Sequence, residues 1–555
     1  MRPAARRARR RAAAALGCGL LAVVAAVPPA RAFTPDTTGG GTGALGTPFP
    51  DAAGTAAAPG TLTPPDYRYQ NMLPLVEGGL PVPGFTVLPS IGLAEEFNDN
   101  IFQTEQNRRW DLITVLTPGI ALAANTPRLD LSLQYNPSLE YYARTTSENT
   151  IAQQLSGVAS LVVVPRSIYI DARAYASVEP VNGGFVGAGG QGAALGGYGY
   201  ATGTGGFARQ TTTQVFGESI TPRITHTFGD LGTANLGLTL ANTSTSSSYA
   251  GGSGSLSSAD LLGSFASGAV LGRIQNTVTA EAYRATGTTF LTNASRETVQ
   301  DQVGYALLRR LQVFVALGYE DITYGGTTAL PVHDLTWQVG FSATPGPHSS
   351  LTFSYGHSYG TDGFNVAGSY ALTSRTTATI SYSRQITTYL QQVAAAVGAA
   401  GVNANGVLVN PVTGQPIIIG NPALAVENSV NLTTTLEATL TTLLDRDTVA
   451  FTLNHTDSTP LSAGGFSQAD TVGTVSWTRA LSTRANLAAN VSYGFTQVPG
   501  LTGNSTLFSF ASQFGYQLSA RLSLTASYQF FRRNSSAAGY SIYDNVVFVG
   551  LTERF

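Results

Sequence analysis

From about residue 85 to the C-terminus, apolar and polar residues alternate with a period of two, and this constrains the chain more than any other feature. In Arg128-Leu-Asp-Leu-Ser-Leu-Gln-Tyr135, residues Leu129, Leu131, Leu133 and Tyr135 point one way, while Asp130, Ser132 and Gln134 point the other. The run Asn431-Leu-Thr-Thr-Thr-Leu-Glu437 does the same, with Leu432 and Leu436 opposed to Asn431, Thr433, Thr435 and Glu437. A period of two means strands with two chemically different faces.

Composition narrows what such strands can build. Charged residues make up 11% of the 555-residue chain, far below the ~25% of an ordinary soluble protein. All 30 basic residues are arginines, and glycine is abundant at 62. After residue 32 no stretch offers the ~18 consecutive apolar residues of a membrane helix, which excludes a mature helical membrane protein. The acidic balance speaks against a nucleic-acid partner. A single cysteine excludes a disulfide scaffold.

The N-terminus reads as an address. Met1 to Arg11 holds six arginines, Ala12 to Val27 is a continuous apolar run, and Ala30-Arg31-Ala32 is a small-x-small cleavage signal. These are the three regions of a secretory signal peptide, with cleavage expected after Ala32. The mature chain then carries 23 Arg against 32 acids, a formal charge of −9. Cys18 lies in the removed segment, and a lipoprotein reading of Leu16-Gly17-Cys18 is disfavoured because the apolar run continues past it. Residues 33–84 hold nine prolines with much Gly, Ala and Thr, too little apolar surface to order themselves. They read as a flexible leader, or in part (Tyr67 to Pro83) as a small plug within a barrel. The domain plan is therefore 1–32 signal peptide, 33–84 leader or plug, and 85–555 barrel.

A hairpin unit recurs through the third region. Trp477-Thr-Arg-Ala-Leu-Ser-Thr-Arg484-Ala-Asn-Leu487 and Tyr516-Gln-Leu-Ser-Ala-Arg521-Leu-Ser-Leu524 share an aromatic, a short Ser/Thr/Arg turn and an alternating strand. Tyr305 to Leu311 and Tyr370 to Arg375 repeat it, and Tyr319, Tyr382, Tyr493 and Tyr528 close the following strands. Tight turns fall near Asn125, Pro165, Gly229, Arg310, Pro345, Ser374, Asp445, Ser482 and Ala520. Long links at 179–210, 246–255 and 388–426 fall between them. Short turns at one end and long loops at the other describe an all-β transmembrane antiparallel barrel, turns periplasmic and loops extracellular. Aromatics on either side of strands of ~9–11 residues fit the two interfacial girdles. Parity of the turns gives 22 strands, within a range of 18 to 24, and the weakest run, 256–270, is kept so that the turns stay on their proper sides.

The last residues, Asn545-Val-Val-Phe-Val-Gly-Leu-Thr-Glu-Arg-Phe555, resemble the C-terminal assembly signal of bacterial porins. Val547, Val549, Leu551 and Phe555 share an outward face, Gly550 stands five before the end, and Glu553 departs from the pattern. The start of the barrel, Pro89-Ser-Ile-Gly-Leu-Ala-Glu-Glu-Phe-Asn-Asp-Asn-Ile-Phe102 followed by Asp111-Leu-Ile-Thr-Val-Leu-Thr-Pro-Gly-Ile120, resembles the outer-membrane β-barrel porin family found beside exopolysaccharide export systems. The hairpin Gly304 to Glu320 is similar too. This resemblance implies a Gram-negative outer-membrane location more firmly than any activity.

No catalytic site is expected. The histidines His226, His333, His348, His357 and His455 lack metal-ligand spacing, there is no nucleophile elbow, and the glycine clusters of 183–206 lack the Lys of a phosphate loop. Glu95, Glu96 and Asp99 suit calcium only if they converge; solvated acids at a strand end are the plainer reading. No enzyme activity, cofactor or metal is expected. Alternation places Asp130, Tyr169, Asp171, Arg173, Tyr175, Arg223, Arg273, Glu281 and Glu437 on the lumen side, because Arg facing lipid costs ~2–4 kcal/mol. Aromatics and charges along one wall suit a sugar slide, or simply pack and pair with one another. Three functions compete: a channel or accessory barrel for envelope polysaccharide, a general diffusion porin for small hydrophilic solutes, and a non-conducting structural or surface barrel. Expected partners are outer-membrane lipids and the barrel-assembly machinery, with the oligomeric state left open. The segment Thr388 to Val397 reads as a short helix with Leu390, Val393, Ala394 and Val397 on one face, a candidate constriction of the bore.

Overall fold

The structure, a computed structural model, describes residues 80–555 apart from 83, 181–211, 248–252, 289–290, 326–331, 347–348, 400, 403–407, 410–428, 462–464, 466 and 499–502. The segments expected to be signal peptide and leader, residues 1–79, and much of the two longest loops lie outside the described residues.

The chain forms one closed antiparallel barrel of 22 strands. The strands are β1 Phe85–Asn98, β2 Asp111–Asn125, β3 Leu129–Tyr135 continued by Ser138–Tyr142, β4 Thr150–Ala152 continued by Leu155–Val164, β5 Ile168–Pro180 and β6 Thr212–Thr227. Next come β7 Gly232–Ser247, β8 Gly254–Ser267, β9 Ile274–Gly287, β10 Ala294–Leu308, β11 Leu311–Thr323, β12 Val332–Ala343, β13 Ser350–Ser358, β14 Thr361–Ala371 and β15 Thr376–Thr387. After the helix α1, Tyr389–Ala399, follow β16 Asn431–Leu443, β17 Asp447–Pro460, β18 Gln468–Ala480, β19 Ala485–Val498, β20 Gly503–Gln517, β21 Leu522–Ser535 and β22 Ile542–Arg554. The weak run near 256–270 is the full strand β8, so the parity argument held where local pattern was faint. A short strand, Leu80–Val82, folds back on the start of β1.

Closure joins β1 to β22, with Leu93 opposite Leu551. The Phe555 N–H donates to the Pro89 carbonyl at 3.0 Å. At the other end of the seam the Asp99 carboxylate accepts from the Asn545 backbone N–H and side-chain amide, both at 2.7 Å. Gly550 faces inward there, and a Cβ on it would stand 2.8 Å from the Ala94 Cβ, so the seam needs glycine to close. The assembly-signal residues Val547, Val549, Leu551 and Phe555 are exposed on the outer face, Leu551 by 44% and Phe555 by 48%. A closed barrel is what lets such a face meet lipid, since every strand edge is paired.

Outside, the wall is predominantly apolar: Leu236, Val299, Leu317, Leu335, Phe451 and Val491 are all exposed there. The rings of Phe341, Phe353, Phe364 and Tyr382 stack in a row across β12–β15, with centroids 5.8, 6.4 and 4.2 Å apart. Inside, alternate positions are polar, as in Gln300, Gln302, Thr336, Gln338, Ser492, Ser509 and Gln513. No helix among the described residues is long and apolar enough to cross a membrane.

Two departures from regular pairing have local causes. β3 breaks at Asn136-Pro137, where proline has no N–H to give the ladder. The facing break in β4 is bridged by Gln214 of β6, whose side-chain carbonyl accepts from the Gln153 N–H at 2.8 Å and whose amide donates to the Gln153 carbonyl at 3.0 Å. At the long-loop end β13 and β14 join through a two-residue turn, Tyr359-Gly360, with φ of 56° and 68°. Positive φ at both positions is what a type I′ hairpin requires. That turn is short where its neighbours are long, and Tyr359 is buried inside the barrel.

Candidate functional site

The candidate site is the inner wall and the helix that lies against it. Near the short-turn end, register aligns Asp130 of β3 with Ser160 of β4, and Ser160 with Asp171 of β5. The Ser160 hydroxyl donates to Asp171 at 2.7 Å, and Arg223 of β6 donates through Nε to the other Asp171 oxygen, also at 2.7 Å. The same guanidinium lies 4.3 Å from the centroid of the Tyr169 ring. Four of the lumen residues read from the sequence, Asp130, Tyr169, Asp171 and Arg223, thus form one lateral row. Arg173 is the next inward residue on β5, opposite Ser219.

Further round the wall Glu281 of β9 pairs with Arg296 of β10, Nε to carboxylate at 2.9 Å, and accepts from the Thr298 hydroxyl at 3.4 Å. The Arg296 guanidinium also lies 5.4 Å from the centre of the Tyr283 ring. Glu281 is among the lumen residues read from the sequence and Arg296 is not, although its parity with Thr298 and Gln300 marks it as inward. Glu437 stands on β16 opposite Ser381 and Asn454. Arg273 is corrected: it is exposed in the turn before β9, where Gly272 adopts φ 65°, so it marks the rim and not the wall.

The upper part of this wall is apolar, and α1 covers it. Leu390, Val393 and Val397 are buried to 1, 0 and 1% exposure among Val215, Leu256, Ala285, Leu291, Ile322 and Tyr359, with Tyr175 and Ala394 packed beside them. These are the helix residues expected to share a face. α1 leaves from β15 yet packs on β5–β8, so the helix turns into the bore and lies along its inside. A Cβ on Gly217 of β6 would come within 3.2 Å of Val397 Cγ2, so glycine allows the helix to seat.

A capping box starts the helix. The Gln391 N–H donates to the Thr388 hydroxyl at 3.3 Å, and the Thr388 N–H donates to the Gln391 side-chain carbonyl at 3.0 Å. Gln391 also ties the cap to the wall: its carbonyl accepts from the Tyr324 hydroxyl at 3.0 Å, and its amide donates to the Tyr283 hydroxyl at 3.3 Å. Burial pushes the Tyr324 phenol well above the ordinary tyrosine value, so it stays protonated and can donate. The Thr-x-x-Gln pattern marks the cap in the sequence; nothing in the sequence marks the two tyrosines that hold it.

The calcium reading does not survive. Glu95 points outward and accepts from the Thr114 hydroxyl at 2.8 Å. Glu96 points inward and is 2% exposed. Asp99 is taken up by Asn545. Neighbours on a strand face opposite ways, so Glu95 and Glu96 cannot share an ion. Among the described residues no three His, Cys, Asp or Glu side chains converge as a metal site would require.

No protein-family model matches the chain, and no curated protein matches it. Solved structures do. One is the siderophore receptor PirA from Pseudomonas aeruginosa, at 13% identity and TM-score 0.42, covering 84% of this chain and 80% of that one. The ferric-catecholate import receptor Fiu from E. coli matches at 10% identity and TM-score 0.46, covering 84% and 81%. The FrpB iron transporter from Neisseria meningitidis matches at 11% identity and TM-score 0.47, covering 86% and 82%. These likenesses are too distant to carry a function to this chain.

Proposed function

We propose that the protein is an outer-membrane channel for hydroxyl-rich solutes, envelope polysaccharide foremost, narrowed by α1. The signal-peptide pattern and the segregation of short turns from long loops support the outer membrane, with the short turns in the periplasm. The observation that carries the channel reading is the polar inner wall of a 22-stranded barrel with a capped helix laid inside it. Barrels of 16–18 strands already leave an aqueous channel, so a wider one conducts unless something fills it. Amides and hydroxyls dominate the wall of β10–β13 and β19–β21, and such groups exchange hydrogen bonds with a neutral sugar. The ion-paired row around Asp171 holds charges of both signs, which favours neither anions nor cations. The porin-family resemblance points the same way toward polysaccharide.

The test is single-channel conductance in planar bilayers, wild type against a variant with residues 388–399 replaced by a Gly/Ser linker. The replacement should raise conductance severalfold in barrels that still show heat-modifiable mobility. Oligosaccharide swelling of proteoliposomes then separates a sugar channel from a general diffusion porin. Absence of conductance in both proteins would leave a structural barrel as the reading.

A further inference from the structure

We propose that the outer rim across the barrel seam, from β21 to β3, binds a phosphate-bearing glycolipid of the outer leaflet, of the lipid A class. The proposal rests on the outer-membrane placement above. Three arginines at the long-loop end face outward: Arg532 on β21, Arg108 in the loop after β1, and Arg144 after β3, all exposed. Arg532 stands opposite Tyr543 in the β21–β22 register, and the Arg108 guanidinium lies 3.2 Å from the centre of that same ring. Arg144 lies 4.0 Å from the centre of the Trp110 ring, and Trp110 in turn touches Phe97 of β1 at 6.0 Å between centroids.

Among the described residues none of the three has a carboxylate partner. Arg532 donates to the Asn534 side-chain carbonyl at 2.9 Å and Arg144 to the Trp110 carbonyl at 3.4 Å. Glu105, the nearby loop acid, accepts from the Gly539 N–H at 2.7 Å. Elsewhere on the outer face Arg284 is neutralised by Glu297 and Arg479 by Asp447. The seam therefore leaves cations free where headgroups sit.

Stacking on aromatic rings holds a guanidinium in place with its N–H edge open, and that edge matches phosphate bidentately. Directly below, Leu93, Leu112, Val547 and Val549 give an exposed apolar face. Cations above, aromatics between and aliphatics beneath follow the order of parts in a phosphorylated lipid: phosphate, glycosidic backbone, acyl chain. A spread of arginines over neighbouring strands suits a headgroup with more than one phosphate better than a single phosphodiester. Because the surface crosses β22 and β1, a bound lipid would bridge the closing strands.

The full-length purified barrel is tested in micelles with diphosphoryl lipid A as probe, and with its dephosphorylated form and phosphatidylglycerol as controls. Native mass spectrometry should show retention of diphosphoryl lipid A, with at least a tenfold loss in the Arg108→Ser/Arg144→Ser/Arg532→Ser variant. Heat-modifiable mobility first establishes that the variant is folded. If the triple variant does not fold, the three single variants are used, each expected to weaken retention severalfold. Equal retention of the dephosphorylated form or of phosphatidylglycerol by the wild type would overturn the proposal, as would unchanged retention in the variants. Binding in micelles does not depend on where the protein resides in the cell, so failure here is distinct from failure of the localisation, which fractionation reads.

Discussion

Two arcs of one wall share the same outer face and differ inside. Along β6–β11 the inward residues at the long-loop end include Val215, Leu256, Ala285 and Ile322, apolar and buried in one cluster with α1. Along β19–β21 the inward residues include Asn490, Ser492, Ser509, Gln513 and Gln529. Both arcs keep strict alternation, and both present Val, Leu, Phe and Tyr to the outside. The difference teaches that the lipid face is set by the membrane, whereas the lumen face is set locally by what lies against it. Where the helix packs, aliphatic side chains and threonines such as Thr213 and Thr243 take the place of amides, because an amide buried against Leu390 or Val393 without a partner costs about 1–3 kcal/mol.

The largest expected effect removes both arcs together. Leu551→Asp puts a carboxylate on the outer face of the closing strand, and assembled barrel should fall to a small fraction of wild type. Heat-modifiable mobility on gels reads this, and a normal folded band would show that the seam tolerates charge.

The next contrast lies within a single hairpin. Arg296→Gln leaves Glu281 on the inner wall without its cation. The two side chains are 28% and 13% exposed, and removing one partner of a largely buried pair costs ~3–5 kcal/mol. Arg284→Gln, on the outer face of the same two strands, breaks a pair exposed by 62% and 53%, where ~0–1 kcal/mol is expected. Urea unfolding of the reconstituted barrels compares them; equal losses would erase the inside–outside distinction.

A subtler comparison sets the two arcs against each other. Gly217→Leu grows a side chain into Val397 and should lift α1 from its seat, raising conductance about as far as removal of the helix does. Ser492→Leu, an inward change of similar size on the polar arc, should lower conductance or leave it unchanged. If both variants conduct alike, α1 does not narrow the bore. The smallest effect is expected from Thr388→Ala, which removes the cap at ~1 kcal/mol and should show as a modest rise in the open fraction of single-channel records.

Much of this was legible in the residues. Alternation placed Leu129 and Leu131 opposite Asp130, turn parity recovered β8 where the pattern was weak, and the face Leu390-Val393-Val397 was visible as a helix. Parity also speaks against calcium at Glu95 and Glu96, since adjacent strand residues cannot converge. What the residues could not supply was partnership across strands. Arg296 and Glu281 are 15 positions apart, Arg223 and Asp171 are 52 apart, and Tyr283 meets Gln391 across 108.

The sequence by itself determined the all-β class, an even strand count near 22 within a range of 18 to 24, which face of each strand is apolar, and which end carries the long links. A strand repeats every two residues, a hairpin turn is local, and a bilayer demands one apolar face regardless of neighbours. Only the tertiary structure decided that α1 turns into the bore, which wall it covers, and that Arg108, Arg144 and Arg532 line the same stretch of the seam. Those outcomes depend on closure, which brings the first strands against the last and the far ends of loops onto strands distant in the chain, and no local pattern encodes which surfaces closure will set side by side.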